Sequence, residues 1–138
     1  MIVVDTTVWV DFFRGADEPH VAELVALIEQ DAGVALTDVI LTEVLQGLRT
    51  DRQARRVEQH LSAFDILPLE HLDDFTRAAR LYRTARAKGY TVRKTIDCLI
   101  AAVCIRERVP LLHNDADFHR LAAVAPLLVH TPQPPAGP

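Results

Sequence analysis

Short apolar runs alternate along the chain with longer segments in which apolar and polar positions are mixed. The runs are three or four residues long and are bounded by polar or turn-forming residues, which is typical of buried strands; they lie at 2–4, 34–36, 66–69, 110–113 and 126–129. The segments between them have helical spacing of apolar positions and predict helices near 7–13, 19–31, 39–48, 51–63, 71–88, 95–107 and 116–123. This alternation favours an α/β fold, with a central, mostly parallel sheet of four to five strands covered by helices on both sides.

The segment 95–107 is the clearest of the predicted helices. Its apolar residues Ile96, Leu99, Ile100 and Val103 follow the i, i+3, i+4, i+7 rule, and Thr95 is predicted to cap its amino terminus. Cys98 and Cys104 fall in the same helix, about 9 Å apart along its axis, which is too far for a disulfide. We therefore expect both cysteines to be reduced core residues.

The chain length fits one domain. The 138 residues are 49% hydrophobic, enough to bury a core without structural metals or disulfides. We expect the domain to span 1–130 and the proline-rich tail 131–138 to be frayed. No apolar stretch approaches the roughly 20 residues of a membrane span, and Asp5 interrupts the amino terminus before a signal peptide could develop. These features predict a cytoplasmic protein.

Charge is unevenly distributed along the chain. The net charge of −4 argues weakly against nucleic-acid binding. However, the range 77–94 carries seven basic residues and no acidic one, which we call the basic segment: Arg77, Arg80, Arg83, Arg86, Lys88, Arg93 and Lys94. It is either a solvated helix face that forms ion pairs or a surface for a polyanion. If cations neutralised the five acids Asp5, Glu43, Asp97, Asp115 and Asp117, the rest of the chain would carry a net charge of +1. An acidic total is therefore compatible with a polyanionic substrate.

Five acidic residues are predicted to meet at one edge of the sheet. Asp5 ends the first strand, and Asp115 and Asp117 follow the fourth. Glu43 and Asp97 lie near the starts of helices, which the crossovers place at the same edge. Ligands of open parallel sheets bind beyond the carboxyl ends of the strands, so this edge is the candidate site.

Each acid also has a purely structural interpretation. Asp5 and Asp97 are suited to cap a helix or to occupy its first turn, and Asp115 and Asp117 are suited to an Asx turn with a cap. Glu43 lies beside the apolar stripe of its helix, where either an arginine or a metal ion would satisfy its charge.

Together, the acids indicate metal chemistry. Clustered carboxylates repel one another unless cations neutralise them, and hard oxygen ligands select Mg²⁺ or Mn²⁺. Such an ion can activate water for attack on a phosphodiester. Two other functional classes remain open: a phospho-accepting receiver-like regulator and a catalytically silent module that binds RNA or protein. A phosphotransferase with a DxDx motif would need an acid where this chain has Thr7.

Four segments resemble, in order and spacing, the acidic motifs of PIN-domain ribonucleases: DTTVWVDFF at 5–13, TEVLQGL at 42–48, TVRKTIDCLIAAVCI at 91–105 and HNDADF at 113–118. Within that family the chain is most similar to the VapC toxins of bacterial VapBC operons. The resemblance spans about 2–130. It implies a three-layer PIN-like fold and a metal-dependent endoribonuclease, a hydrolase that cuts structured RNA, often transfer or ribosomal RNA.

The resemblance also implies roles for individual residues. Asp5, Glu43, Asp97 and Asp115 match the catalytic acids that hold Mg²⁺ or Mn²⁺, and Asp117 matches an additional acid of the fourth motif. Thr6 matches a small hydroxyl residue beside the first acid, and Arg93 matches a basic residue that would contact a carboxylate or the scissile phosphate. Members of this family are inhibited by a cognate VapB antitoxin and commonly form homodimers.

Two further features near these motifs have structural interpretations that we favour. Trp9, Phe12 and Phe13 follow the first acid; core or dimer packing is favoured over base stacking on RNA. His113 ends the fourth predicted strand, and we expect a hydrogen-bonded structural role rather than a general base, because a metal ion can already activate water.

Overall fold

The computed structural model of the chain describes residues 1–134. Within them a single sheet of four parallel strands has the order β3-β2-β1-β4. The strands are β1 (Ile2–Val4), β2 (Val34–Thr37), β3 (Asp65–Leu67) and β4 (Leu111–Leu112). In register, Val3 pairs with Ala35 on one side and with Leu111 on the other. The predicted parallel α/β sheet is confirmed.

Seven helices flank the sheet in this part of the chain. They are α1 (Thr6–Phe13), α2 (Pro19–Glu29), α3 (Asp38–Gln46), α4 (Asp51–Leu61), α5 (Leu72–Ala87), α6 (Thr95–Glu107) and α7 (Ala116–Val124). All seven predicted helices are present, with ends that shift by up to two residues. The prediction for α2 ran two residues too far because the chain turns at Asp31 and Gly33, both of which have positive φ. None of these helices is long and apolar enough to cross a membrane.

The two central strands and α6 form the middle of the core. Every residue of β1 and β2 is buried, and α6 packs against α3, α5 and α7. The periodicity of α6 predicted a single apolar stripe, but seven of its residues are buried, including Cys98, Ala101, Ala102 and Cys104. These small side chains allow neighbouring elements to approach α6 on several sides. Both cysteines are free and buried, as expected.

Three details of the sequence prediction are wrong. The strand predicted at 66–69 is an edge strand rather than a buried one, with two of its three residues exposed. The fifth predicted strand, 126–129, is reduced to one parallel bridge between Leu111 and Val129, since Pro126 and the exposed Leu128 interrupt its pattern. The N-cap of α6 is Lys94, without a side-chain hydrogen bond, and Thr95 is already helical.

The described part of the tail is attached to α2. The backbone N–H of Gln133 donates to Glu23 Oε2 over 2.9 Å, and His130 Nε2 lies 2.8 Å from Glu23 Oε1. The frayed tail was predicted for 131–138, and its last four positions, 135–138, lie outside the described residues.

The aromatic residues after Asp5 pack in the interior. Trp9 is fully buried, its indole N–H donates to the carbonyl of Val4 over 2.9 Å, and its ring stacks on Phe13 with centroids 6.1 Å apart. Phe12 and Phe13 are partly buried against the core. The core-packing interpretation of these three residues is therefore the one that the structure supports.

A buried ion pair joins α5 to the end of α6. Asp74 is 1% exposed, and it accepts hydrogen bonds from the Glu70 N–H and from Arg106 Nε, each over 3.0 Å. Arg106 also donates to the Pro68 carbonyl. Burial alone would raise the pKa of Asp74, but these hydrogen bonds and the Arg106 charge lower it below its ordinary value.

Arg106→Met leaves the Asp74 carboxylate buried without its cation, which is expected to lower the free energy of unfolding at pH 7 by about 3–5 kcal/mol. The pKa of Asp74 is lowered in the folded wild type, so its stabilising contribution is present above the unfolded pKa and is lost as the pH falls. The difference in the free energy of unfolding between wild type and variant therefore becomes smaller below about pH 4. Urea unfolding measures both effects.

Arg83→Met is the control, because Arg83 is exposed on α5, the helix that carries Asp74, and forms no salt bridge within residues 1–134. Equal losses in the two variants would contradict a stabilising role for the buried pair.

Candidate active site

Three aspartates converge where β4 and the loop after α5 lead into helices. Asp97 lies in the first turn of α6, Asp115 is the N-cap of α7, and Asp117 lies in the first turn of α7. One carboxylate oxygen from each residue lies within 4.8 Å of the corresponding oxygens of the other two. We call these three residues the aspartate cluster. The predicted convergence at this edge of the sheet is thus present for Asp97, Asp115 and Asp117.

Asp97 is the least compensated member of the aspartate cluster. Its side chain is 4% exposed, and its buried Oδ2 has no hydrogen-bond partner. Burial, together with the negative charges of Asp115 and Asp5, raises its pKa to about 7. Asp97 is not the N-cap, which is Lys94, but it lies in the first turn of α6, the other structural position that the sequence allowed. A first-turn position does not by itself explain a buried carboxylate with an unpartnered oxygen.

Asp5 both caps α1 and contributes charge to the site. Its Oδ2 accepts hydrogen bonds from the Thr7 hydroxyl over 2.8 Å and from the Thr7 N–H over 3.3 Å. Burial raises the pKa of Asp5 to about 6; the hydrogen bonds from Thr7 oppose this rise, and the charge of Glu43 adds to it. Asp5 lies outside the aspartate cluster, although its charge raises the pKa of Asp97.

Glu43 on α3 is paired with a hydroxyl group rather than with an arginine. Its Oε1 accepts a 2.7 Å hydrogen bond from the Thr6 hydroxyl. Glu43 is half-buried and also lies outside the aspartate cluster. The sequence left two ways to satisfy this carboxylate, an arginine or a metal ion. In the described part of the chain, Glu43 forms no salt bridge with an arginine. Thr6 in turn holds Glu43 against the first motif.

Asp117 is already neutralised by the protein. It is 1% exposed; its Oδ1 accepts from Arg120 over 2.6 Å, and its Oδ2 accepts from the Arg93 N–H over 3.1 Å. The guanidinium Nε of Arg93 lies 3.9 Å from the same Oδ2, while the Arg93 side chain is 73% exposed. Asp117 therefore ties the loop before α6 to the start of α7, and the Arg93 side chain extends into solvent beside the cluster.

Asp115 uses one carboxylate oxygen to cap a helix. Its Oδ1 accepts the Asp117 N–H over 2.9 Å, and its own N–H donates to His113 Nδ1 over 3.1 Å. Burial and the neighbouring His119 lower the pKa of His113 to about 4, which makes its imidazole neutral at pH 7. His113 thus orients the loop that carries Asp115, in agreement with a structural role.

Two residues of the site escaped the sequence analysis. The Thr7 hydroxyl donates to Asp5 and accepts the Asn114 N–H over 3.2 Å, so it links the first acidic motif to the fourth. Arg120 neutralises Asp117 from one helical turn away. The i, i+3 spacing of Asp117 and Arg120 was a usable signal, whereas the contact from Thr7 to Asn114 spans 107 positions and has no local signature.

The donor set fits a hard divalent cation. All candidate ligands are carboxylates, which suit Mg²⁺ or Mn²⁺, and the unpartnered buried oxygen of Asp97 leaves one ligand atom uncommitted to any protein donor. Asp115 and Asp5 each spend a named oxygen on a helix cap. Two of the five predicted acids therefore serve as caps while contributing charge to the site.

The basic segment is mostly free of acidic partners. Within residues 1–134, only Arg93 of its seven members forms a salt bridge, with Asp117. Six members are exposed and Arg77 is partly buried. The interpretation of this segment as an ion-paired helix face is therefore not supported. The loop 88–94 carries Lys88, Arg93 and Lys94 from α5 to the aspartate cluster, and the charge of Lys94 lowers the pKa of Asp97 against the effect of burial.

The fold is shared with solved protein complexes. In the crystal structure of FitAcB from Neisseria gonorrhoeae, one chain superposes with a TM-score of 0.74 at 22% identity, covering 96% of this chain and 98% of that one. The structure of VapBC2 from Rickettsia felis, bound to a DNA fragment from their promoter, gives a TM-score of 0.73 at 19% identity, with 94% and 98% covered. At these identities the likeness shows the fold alone.

The sequence comparisons identify the family. The family model of the PIN domain matches residues 2–124. Ribonuclease VapC11 from Mycobacterium tuberculosis is 36% identical over 128 residues, which cover 92% of this chain and 96% of that protein. Ribonuclease VapC51 from the same organism is 31% identical over 122 residues, covering 88% and 85%. The chain belongs to the PIN-domain family and, within it, to the VapC ribonucleases.

Proposed function

We propose that this chain is a Mg²⁺- or Mn²⁺-dependent endoribonuclease, which hydrolyses phosphodiester bonds in structured RNA and acts as the growth-inhibiting toxin of a toxin-antitoxin pair. The single observation that carries the proposal is the buried Oδ2 of Asp97. This atom has no hydrogen-bond partner, and one oxygen of the same carboxylate lies within 4.8 Å of oxygens of Asp115 and Asp117. A protein interior tolerates such an atom poorly unless a cation completes it.

The residues that would hold the metal follow from the oxygens that remain available. Asp97 offers Oδ2, and Asp5 and Asp115 each keep one oxygen beyond those used in capping. Glu43 keeps Oε2, and Asp117, whose two oxygens already accept hydrogen bonds from Arg120 and Arg93, completes the proposed set of acids through its charge. The bound ion would supply activation of water and charge stabilisation at the phosphoryl oxygens. Mg²⁺ typically uses only one or two carboxylates directly, so the remaining acids position those ligands and the water molecules around the ion.

An RNA substrate is supported by the names of the relatives and by the positive charge beside the aspartate cluster. The relatives VapC11 and VapC51 are named ribonucleases, and we extend that activity to this chain. Arg93 and Lys94 border the aspartate cluster and offer cations where phosphates would approach. Thr6, which positions Glu43, belongs to the same proposed substrate-binding edge. Transfer RNA and ribosomal RNA are the substrates that we propose, because they supply structured RNA in abundance.

Support for a partner comes from the structural neighbours. Two of them are named as toxin-antitoxin complexes or systems, one from Klebsiella pneumoniae and VapBC-5 from Mycobacterium tuberculosis. By analogy, we propose that a cognate VapB-type antitoxin inhibits this chain in the cytoplasm and that the toxin forms a homodimer. The domain that carries these functions is proposed to be 1–130.

A receiver-like regulator is disfavoured by the sheet. Receiver domains of the flavodoxin-like type have strand order 2-1-3-4-5, whereas here β1 lies between β2 and β4. The following cleavage experiment distinguishes a nuclease from a catalytically silent binding module.

Asp5→Asn and Asp97→Asn are each expected to reduce cleavage of bulk bacterial transfer RNA at least about 100-fold with Mn²⁺ present, because each removes a charge needed at the site. Both variants should keep the far-ultraviolet circular dichroism of the wild type. Gel analysis of 5′-labelled RNA measures the cleavage rates.

Asp17→Asn provides the control, since Asp17 is an exposed loop acid remote from the cluster in sequence. It should cleave at the wild-type rate. If the wild type cuts no RNA with either metal, the chain is a binding module; if the Asp97 variant cuts normally, the site lies elsewhere.

Removal of metal should make stability fall as the pH rises. The folded pKa of Asp97 is about 7 against an ordinary value of 3.8, so between these values the folded chain holds a proton that the unfolded chain has lost. Asp97 therefore lowers the free energy of unfolding progressively from about pH 4 to pH 7. In EDTA at pH 8, Asp97→Asn should be more stable than the wild type by about 2–4 kcal/mol.

Calorimetry with EDTA and with Mn²⁺ measures this effect. Mn²⁺ should raise the melting temperature of the wild type more at pH 8 than at pH 6, where protons compete for the carboxylates, and should raise that of Asp97→Asn much less. A Mn²⁺ response in the Asp97 variant as large as in the wild type would rule out Asp97 as a ligand.

A further inference from the structure

A large cavity lies at the end of α5, α6 and α7 away from the aspartate cluster. Its volume is about 810 Å³, which is within the range of cavities that hold small organic ligands. Four arginines line it: Arg77 and Arg80 of α5, and Arg106 and Arg108 at the end of α6. Thr84 and apolar side chains, including Leu81 and Ile105, form the rest of its surface. We call it the arginine cavity.

The four arginines differ in how their charges are used. Arg106 forms salt bridges with Asp74, Glu70 and Glu107, so it lines the cavity with its charge already neutralised. Arg77, Arg80 and Arg108 form no salt bridge within the described part of the chain. The charge of Arg77 contributes to lowering the pKa of Asp74, which leaves the guanidinium groups of Arg80 and Arg108 at the arginine cavity without an acidic partner in the described part of the chain.

Arg108 occupies a backbone position at which glycine would be the unstrained residue. It is the C-cap of α6 with φ 56° and ψ 43°, in the left-handed region, which side chains other than those of Asn and Asp rarely adopt. The chain thus keeps a long cationic side chain at the edge of the cavity despite a backbone penalty. This position also offers a variant that removes the charge and relieves the strain together.

A basic path connects the arginine cavity to the candidate active site. Arg77, Arg80, Thr84 and Lys88 are spaced i, i+3, i+7 and i+11 along α5 and so share one flank of that helix. Beyond Lys88 the chain passes through Arg93, which contacts Asp117 of the aspartate cluster. Along α6, the nine residues from Asp97 to Arg106 correspond to about 13.5 Å at 1.5 Å per residue, so the cavity and the cluster are too far apart for one phosphate to contact both.

We propose that the arginine cavity is a second RNA-binding site, which takes a splayed-out nucleotide of the substrate and its flanking phosphates while the scissile bond lies at the aspartate cluster. This inference rests on the proposed nuclease function and narrows its substrate class to RNA long enough to reach both sites.

The chemistry of the cavity matches that of a nucleotide. Apolar side chains accept the face of an unstacked base, guanidinium planes stack on bases, and their N–H groups bind phosphate oxygens in pairs. An acidic protein segment would offer a similar charge. RNA is favoured over an acidic protein segment, because the basic path continues from the arginine cavity to the aspartate cluster, where the chain would cut its substrate.

The test uses the full chain with Asp97→Asn, so that RNA is bound and not cut. This parent chain then receives three substitutions together: Arg77→Gln, Arg80→Gln and Arg108→Gly. The probes are bulk bacterial transfer RNA and a single-stranded trinucleotide. Fluorescence anisotropy measures Kd for each probe across salt concentrations from 50 to 200 mM, taken as roughly the range over which phosphate contacts are most salt-sensitive.

The triple variant should bind transfer RNA about tenfold or more weakly, with the slope of log affinity against log salt reduced by about 2–3. Its affinity for the trinucleotide should fall as well, because a trinucleotide supplies one nucleotide with its flanking phosphates. Arg108→Gly alone should weaken transfer RNA binding without lowering the melting temperature, because it removes a strained left-handed residue. This separates lost binding from lost folding.

The matched control combines Arg52→Gln, Arg55→Gln and Arg56→Gln, because it removes three exposed arginines of α4 and should leave Kd for transfer RNA close to the parent value. An equal weakening in this control, or no weakening in the triple variant, would overturn the proposal. Unchanged RNA binding with reduced affinity for the co-expressed VapB-type antitoxin would instead assign the cavity to the protein partner. If the parent binds no RNA, binding is measured in the wild-type background with EDTA instead; the nuclease proposal itself fails if that chain binds no RNA and also cuts none with Mn²⁺.

Discussion

The mutual repulsion of buried carboxylates is the constraint around which this structure is arranged. Asp5, Asp97 and Asp117 are each at most 4% exposed, and the pKa values of Asp97 and Asp5 rise to about 7 and 6 because burial and neighbouring charges disfavour ionisation. Such a group of acids destabilises a fold unless something compensates it. The protein compensates part of the charge with arginines, hydroxyl groups and helix N-termini, and it leaves Asp97 Oδ2 uncompensated.

The division of labour among the acids follows from this constraint. Asp117 is satisfied by Arg120 and by the Arg93 backbone, so it joins two segments of the chain. Asp5 and Asp115 cap helices with one oxygen each, which fixes the direction of those carboxylates. A structural role and a chemical role are therefore compatible in the same residue, since a carboxylate has two oxygens. The choice between a structural role at a helix start and a metal ligand, which the sequence left open for the aspartates, does not need to be made for Asp5 and Asp115.

Much of the architecture could be predicted because it is local or topological. The periodicity of α6 and the apolar runs of β1 and β2 are readable from neighbouring residues, and the crossover rule places the acids at one edge. Burial of β3 was mispredicted, since a short apolar run does not reveal whether a strand is central or at an edge. The contact of Thr7 with Asn114 and the incomplete strand at 126–129 depend on tertiary packing, for which short-range patterns carry no signal. The arginine cavity has the same origin, because its walls come from three helices.

Diffraction from crystals grown with Mn²⁺, recorded at a wavelength at which manganese scatters anomalously, tests whether the buried Asp97 Oδ2 is a metal ligand. We expect an anomalous peak within about 2.2 Å of Asp97 Oδ2, with a second ligand from Asp115 or Asp5. A metal-binding role of Asp97 is ruled out if its Oδ2 remains without a ligand at saturating Mn²⁺, or if manganese binds only at exposed acids away from the aspartate cluster.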